Sequence, residues 1–598
     1  MKRKYLIFIL ILAIFGTWGS CKQDFLTVAP TGSLDQGLLQ TTKGLDALLV
    51  GAYSMIDGVS NGTSPDGWES TASNWVYGSI RGLEANKGTD DGDQPDIQPI
   101  QQYNETSTNP YLNYKWREVY EAISRCNSVI TVAAKALAAG KITSDAAALY
   151  TTQARVLRGW YHFEAWRMWA IVPYMDEKAD PTKTKNDSDI SDKIIADVTE
   201  GVNNLPINMN QIGMFNKTVS QVILAKVLLQ TKHDYAGAKA LLVDVVANGK
   251  KPNNANIGLA PTYGEIFAIE NRNDLESVYT VQNSVNDGSG AWNAGAGEVL
   301  NFPYKSGGSP GGCCGFFAPT QEFVNSFRTS GGLPLLDFSY NLQPVKNDMG
   351  IPANATAAIA SGIVVTDPAF TTDAGPLDPR LDWTVGRRGI PYWDWGLHTG
   401  NDWIRKQDYS GPYSPKKQVY KKSQEKVLTD ISSWTSGYTA NGYRMIRYAD
   451  VLLMLAECQI ETGDLPGALT NINAIRTRAS NPAGFVMKID AAGKDTNVPA
   501  ANYVITTYPT LGSVDNARAI LRMERKLELG MEGHRYFDLQ RWGIVVSELN
   551  RALTYEESQP WGAKLYQGAT VGAEDVNYPI PQRQIDLSLG NLVQNTGH

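Results

Sequence analysis

Residues 443–480, YRMIRYADVLLMLAECQIETGDLPGALTNINAIRTRAS, limit the fold more than any other stretch, because they read as two helices broken at Gly463-Asp464. Ile446, Tyr448, Val451, Leu452, Leu455 and Ala456 keep helical spacing over several turns. Leu453 and Met454 make that helix apolar nearly all round, which suits a helix packed between neighbours. Gly463 suits the left-handed turn that ends a helix, and Asp464 suits the cap that starts the next. The second helix aligns Ala468, Ile472 and Ile475 and finishes on Arg476 and Arg478 at its negative end. An earlier stretch repeats the pattern. Leu224-Ala225 leads to Asp234, Gly237, Ala238, Leu242 and Val245, matching Leu455-Ala456, Asp464, Gly467, Ala468, Ile472 and Ile475 with the same spacing from the aspartate onward.

Helix pairs with Gly-Ala at the crossing resemble tetratricopeptide repeats, where small residues let adjacent helices approach closely. Other helical stripes surround these two hairpins. Thr42 can cap a helix carrying Leu45, Leu48, Leu49, Ala52, Tyr53 and Ile56, which ends at Asp57-Gly58. Further helical segments are predicted at 111–139, 144–170, 191–203, 220–230 and 235–247. Residues 60–110 are loop-rich, with turn signals at Asn61-Gly62, Pro65-Asp66-Gly67 and Asp91-Gly92. An insertion, 250–442, separates the two hairpins and is rich in glycine, proline, asparagine and aromatics, with a strand expected at 277–281 and a short helix at 319–327. Loops this long inside a domain are usually functional rather than simple connectors. After the late hairpin come a loop region, 487–511, a charged helix, 515–529, and an extended tail from Tyr578.

With 42% hydrophobic and 19% charged residues, the chain can bury a large core, and its net charge of −7 argues against a nucleic-acid partner. Lys2, Arg3 and Lys4 precede the apolar run 5–15, and small residues lead to Cys21, the layout of a secretory signal over 1–20. Gly19-Ser20-Cys21 resembles the lipobox of bacterial lipoproteins, with Trp18 where that motif prefers leucine. Cys21 is therefore the expected lipidation site and 21–40 the tether, with 41–598 as one domain. Cys126 and Cys458 fall in helical patterns and are expected to be buried. The adjacent Cys313 and Cys314 leave a vicinal disulfide open, and no cysteine spacing suggests a zinc site.

Several blocks together resemble the SusD-like (RagB/SusD) lipoproteins, the nutrient-capturing partners of TonB-dependent outer-membrane transporters. They are RYADVLLMLAECQIETGDLPGALTNINAIRTRA at 447–479, RMERKLELGMEGHRYFDLQRWG at 522–543, YPIPQRQIDLSLGNLVQNTG at 578–597, DPRLDWTV at 378–385 and WVYGSIRGLEANKG at 75–88. The resemblance implies a mostly α-helical fold. About four tetratricopeptide-like pairs, drawn from 111–249 and 443–480, would form a scaffold, with a large loop-rich insertion, little β structure and a C-terminal region at 481–598. It also implies a surface protein, lipid-anchored in the outer membrane, that sits on a SusC-like barrel transporter, binds oligosaccharide and catalyses nothing. Family ligand contacts come from loops, here 60–110 and 250–442, with no shared residue-level motif to carry over.

Carboxylates concentrate in 522–543, but Arg525 with Glu528 and Arg535 with Asp538 are helix neighbours at ion-pair spacing, so structural pairing is expected. Asp450 and Glu457 share a helix face and can hold arginines of an adjacent helix. A glycosidase, the enzyme alternative, needs two carboxyls about 5 to 10 Å apart, for which Asp382, Asp394 and Asp402 are the candidates. The five histidines form no His-x-x-x-His pair, and no cofactor is expected. Asp90, Asp91, Asp93 and Asp96 are crowded enough for calcium but lack an EF-hand spacing. For a glycan, aromatic platforms would meet the apolar sugar face while polar groups fix the hydroxyls. Trp68, Trp75, Arg81, Tyr103, Trp292 and Tyr304 are the predicted contacts, with Trp393 and Trp395 as second choices and Trp383 read as structural. The remaining alternative is a surface protein whose repeats bind only protein.

Overall fold

In a computed structural model, which describes residues 36–58, 67–305, 309–351 and 370–598, the repeat becomes a stack of helices. The signal segment, Cys21, most of the tether, Asn61-Gly62 and Pro65-Asp66 lie outside the described residues. The main helices are α1 (Thr42–Tyr53), α2 (Pro110–Ala138), α3 (Ser144–Trp169), α4 (Ser191–Asn204), α5 (Lys217–Lys232), α6 (Tyr235–Asn248), α7 (Tyr448–Glu461), α8 (Leu465–Ala479), α9 (Val514–Leu529) and α10 (Val545–Glu557). From α1 to α6 each helix packs on the next, and α6 then packs directly on α7 although residues 249–447 intervene. The insertion leaves the stack and returns the chain to the next position in it. Helices α1 to α8 thus form four successive pairs, and α9 covers α7.

Local chemistry explains the repeated Asp-x-x-Gly-Ala. Asp234 caps α6 by accepting from the Gly237 amide at 2.9 Å, and Asp464 caps α8 by accepting from Gly467 at 3.0 Å. A Cβ on Gly237 would stand 2.3 Å from the Asp234 carboxylate, and one on Gly467 would stand 2.6 Å from that of Asp464. These glycines clear room for the cap. The fully buried Ala238 and Ala468 make the helix packing. Gly463 takes the left-handed turn with φ 81°. Thr41, rather than Thr42, caps α1, its hydroxyl accepting from Gly44 at 3.1 Å.

Helix α7 is apolar all round because it lies between two cores. Val451, Met454, Leu455 and Cys458 face the main core, while Ala449, Leu452, Leu453, Ala456 and Ile460 face a second one shared with α8 and α9. Cys126 is buried as well. Among the described residues, every sheet has two strands. Ser277–Tyr279 pairs with Ile446–Arg447, tying the insertion to the start of α7. Met487–Ile489 and Asp495–Pro499 form a hairpin in a stretch read as loop, and a short helix, Gln582–Leu587, interrupts the tail read as extended.

Buried charges clamp the insertion to the scaffold. Glu528 on α9 accepts from Arg380 (3.2 Å), Arg447 (3.0 Å) and Arg478 (2.5 Å), while Arg478 also reaches Glu276 at 2.7 Å and Arg447 reaches Glu532 at 2.8 Å. Glu524 joins Arg380 and Arg476 at 2.6 and 2.9 Å, and Lys417 closes on Glu532 at 2.7 Å. Glu276, Arg380 and Lys417 come from the insertion. Burial alone would raise the Glu528 carboxyl, but its three arginines hold it well below the carboxylate range. Burial also works against ionised Glu532, yet Arg447 and Lys417 hold it at about 2.

Structural pairing therefore holds for the 522–543 charges: Arg541 meets its helix neighbour Asp538 at 2.8 Å, but Arg525 and Arg535 take partners other than the expected neighbours. Arg525 pairs with Asp538 (2.8 Å) and Asp450 (2.9 Å), and Arg535 pairs with Glu548 (2.9 Å), because these side chains point into helix interfaces rather than along their own helix. Asp450 and Glu457 do hold arginines of neighbouring elements, Arg525 and Arg541.

Replacing Glu528 by Gln leaves three buried guanidinium groups short of charge and is expected to destabilise the fold by about 3–5 kcal/mol, read from urea or thermal unfolding. A second carboxyl gives a pH test. Glu556 on α10 is fully buried, accepts the Glu322 amide at 2.6 Å, and is pushed up to about 8 by burial. The folded state then holds a proton that the unfolded chain releases above its ordinary carboxyl range. Its contribution is complete at pH below about 4.5 and is lost as pH rises through 8. Glu556→Gln should therefore gain stability relative to wild type between pH 5 and pH 9, with the urea midpoints of the two proteins diverging as pH rises.

Candidate functional site

Among the exposed apolar side chains of the insertion, Trp292, Val427, Ile431 and Trp434 sit on two loops that hold each other in place. Asn286 in the first loop donates to the Thr429 carbonyl at 3.1 Å and accepts from the Ile431 amide at 3.0 Å in the second. The Asn283 side chain adds a 2.8 Å bond to Asn441, and the Gly295 amide a 2.9 Å bond to Thr439. Within the first loop, Asp287 accepts from Ser284, Ser289 and Asn293, and these bonds, that from Ser284 foremost, hold its carboxyl well below the ordinary range. In the second, Asp430 accepts from the Ser432 and Ser433 amides. Thr435 donates to Gly311 at 3.1 Å, which joins the Cys313–Cys314 loop to the same frame, and those two cysteines form a vicinal disulfide.

From this frame Trp292 projects with 55% of its surface exposed and Trp434 with 61%, flanked in sequence by exposed Val427 and Ile431. The Trp434 and Tyr438 rings meet edge to face at 6.1 Å. Large apolar side chains held outside the core by a hydrogen-bonded frame mark an interaction surface. Indole and phenol rings offer it flat apolar faces with polar edges.

The other predicted contacts behave differently. Trp75 is 1% exposed, donates its indole N–H to the Gly297 carbonyl at 3.1 Å, and packs on Phe316 and Phe317. Arg81 has no exposed surface. It pairs with Glu105 and lies among the rings of Tyr103, Tyr536 and Tyr578 at 4.9, 5.2 and 4.3 Å. Tyr103 donates to the Arg81 carbonyl, and Trp68 is buried too. Burial takes Trp68, Trp75, Arg81 and Tyr103 out of reach of a ligand in this conformation. Tyr304 is half-buried, 5.7 Å from the Arg405 guanidinium. Of the six, only Trp292 stands free. Trp434, absent from that set, belongs to a Ser- and Thr-rich turn, 432–436, whose polarity was the available signal.

Three of the four aspartates read as a calcium candidate, Asp90, Asp91 and Asp93, are bonded to cations of the chain. Arg405 holds Asp90 at 2.8 Å and Asp93 at 2.5 Å, and Lys406 holds Asp91 at 2.6 Å. The Lys87 ammonium donates to the Asp90 and Asp93 carbonyls at 2.5 and 2.6 Å. Two of the three glycosidase candidates are similarly engaged. Asp382 is buried against Arg387 at 2.6 Å and Tyr503 at 2.6 Å, and Asp394 accepts the Lys422 and Ser423 amides at 2.5 and 3.0 Å. Among the described residues no three or more His, Cys, Asp or Glu side chains are grouped to hold a metal, and no helix is long and apolar enough to cross a membrane.

A family model described as the SusD family matches residues 275–598, more than half of the chain. A second, described as "Starch-binding associating with outer membrane", matches residues 24–256. No curated protein matches the chain. Among solved structures, a SusD superfamily protein from Bacteroides vulgatus superposes with a TM-score of 0.64 at 18% identity, covering 93% of this chain and 99% of that one. Surface glycan-binding protein A from Bacteroides thetaiotaomicron, solved with laminarihexaose, gives 0.63 at 21% identity over 93% and 99% of the two chains. A laminarin-binding SusD-like protein gives 0.62 at 19% over 93% and 100%. At these identities the likeness is one of fold.

Truncating a plug and truncating a platform should read out differently. Trp75→Ala is expected to destabilise the protein by about 3–5 kcal/mol through the cavity it opens. Trp434→Ala should shift stability by no more than about 0.5 kcal/mol. Thermal melts of the two variants check this.

Proposed function

This chain belongs to the SusD family, and we propose that it is a non-catalytic, cell-surface glycan-binding lipoprotein. In this reading it captures oligosaccharide on the exposed loop face of its insertion and passes it to a TonB-dependent outer-membrane transporter. The observation that carries the binding role is the cross-linked loop pair, which keeps Trp292 and Trp434 solvated at energetic expense unless a ligand covers them. Each ring would stack on the apolar face of a sugar, while neighbouring loop groups such as Asn293 and Ser433 exchange hydrogen bonds with its hydroxyls. Fold neighbours that bind laminarin or laminarihexaose support the ligand class. The engaged state of Asp382 and Asp394 supports capture over cleavage.

The outer-membrane location draws support from the second family description and from the lipobox-like segment ending at Cys21, which would carry the anchor. The transporter partnership follows from the family resemblance of the scaffold. Stacked helices provide a firm back face, leaving the loops free for cargo.

Trp292→Ala and Trp434→Ala should each weaken binding of the protein's polysaccharide about tenfold, the equivalent of one lost stacking contact of about 1.4 kcal/mol. Affinity electrophoresis against laminarin, starch, xylan and pectin, with product analysis of the same mixtures, measures both binding and turnover. Unchanged mobility of both variants relative to wild type would remove this surface. Released sugars would show an enzyme instead.

A further inference from the structure

A separate cleft of about 840 Å3 opens between residues 262–271, 383–397, 416–422 and 483–495, and no residue of the Trp292 or Trp434 loops lines it. Its size falls within the range of small-molecule sites, about 300–1,000 Å3. Two indoles form one wall, Trp383 and Trp393, with ring centroids 5.1 Å apart and planes at 58°. Trp395 and Phe485 bring the aromatics of the lining to four. Trp383 is locked in place. Its N–H donates to the Gly484 carbonyl at 2.7 Å, the Lys416 ammonium lies 4.9 Å from its ring, and Gly264 approaches so closely that a Cβ there would stand 2.3 Å from the indole.

Trp393 is half-buried and has a φ of 50°, a left-handed conformation that bulky residues rarely adopt. The Tyr392–Gly396 backbone bond at 2.9 Å and the bond from the Trp393 indole to the Lys416 carbonyl at 3.3 Å hold it there. Backbone strain of this kind collects where a side chain must be aimed at a ligand.

The polar lining is mixed. Three lysine and four carboxylate side chains border the cleft, so neither charge dominates. Glu265 and Lys422 are exposed, and neither side chain makes an ion pair among the described residues. An acceptor and a donor are thus available beside aromatic walls, the combination that a polyhydroxylated ligand without net charge satisfies.

We infer that this cleft is a second carbohydrate site, taking a short neutral oligosaccharide, distinct from the open Trp292 and Trp434 platform. The class of ligand rests on the glycan-capture reading, and the place does not. Trp393 stacks on a sugar ring, Glu265 accepts from its hydroxyls and Lys422 donates to them. Two sites would let the protein hold a polymer on the platform and a chain end or released fragment in the cleft.

Calorimetric titration of the full chain with laminarihexaose, cellohexaose and maltohexaose tests this. Two sites are expected for at least one of the three. Trp393→Ala, and separately the double variant Glu265→Ala with Lys422→Ala, should weaken one site at least tenfold and leave the other. The exposed pair keeps the test valid if the tryptophan variant misfolds, and a thermal melt of each variant reports its folding. The double variant Trp292→Ala with Trp434→Ala should remove the other site. A single site that this last variant abolishes and the cleft variants leave unmoved overturns the cleft while capture on the platform stands. Absence of binding by all three hexasaccharides overturns both.

Discussion

The buried charge cluster around Glu528 is the interaction on which the rest of the molecule depends. Isolated charges inside a protein are strongly unfavourable, and a pair is tolerated only when its geometry is good and its remaining hydrogen bonds are met. Here the three arginines on Glu528 come from the insertion, from the strand entering α7 and from the end of α8. Satisfying one carboxylate therefore requires three separate segments to arrive together. Any other docking of the insertion would strand guanidinium groups in the core. The cluster works as a registration device for residues 249–447, which have little regular structure of their own to direct them.

That registration lets the scaffold and the loops do different work. The stack from α1 to α8 continues through α6 and α7 as though the insertion were absent, so the helices supply a continuous firm body. The insertion is anchored at its entry by the strand at Ser277–Tyr279 and in its middle by Arg380 and Lys417. Between those anchors its loops hold one another through side-chain bonds to backbone, as Asn286 and Asp430 show. A loop frame built this way can keep indoles in solvent, since the frame does not need to bury them to stay folded. The platform and three of the four segments lining the cleft lie in the insertion.

Aromatic side chains on loops show where sequence reasoning stops. Trp75 and Trp292 both sit among glycines and polar residues, and composition gives no way to tell them apart. What separates them is a partner distant in sequence. Trp75 finds the Gly297 carbonyl and two phenylalanines from the 316–317 strand, whereas Trp292 finds none of these. The same holds for Arg81, whose cage draws Tyr536 and Tyr578 from the far end of the chain. The crowded aspartates at 90–93 likewise resembled a metal loop until Lys87, Arg405 and Lys406 were placed among them.

Helix content, the two matching hairpins, their caps and the family were all legible in the sequence. Helical periodicity and Asp-x-x-Gly capping act over a few residues, and the physics that enforces them is local. The all-round apolarity of 448–460 even announced a helix between two layers. Ion-pair partners, the fate of each loop tryptophan and the existence of the cleft were decided only by tertiary structure. Many of these contacts join groups more than a hundred residues apart, as between Arg447 and Glu276 or Trp383 and Gly264. Local spacing shows that a charge needs a partner or that an indole needs a face, and only the assembled fold determines which one it meets.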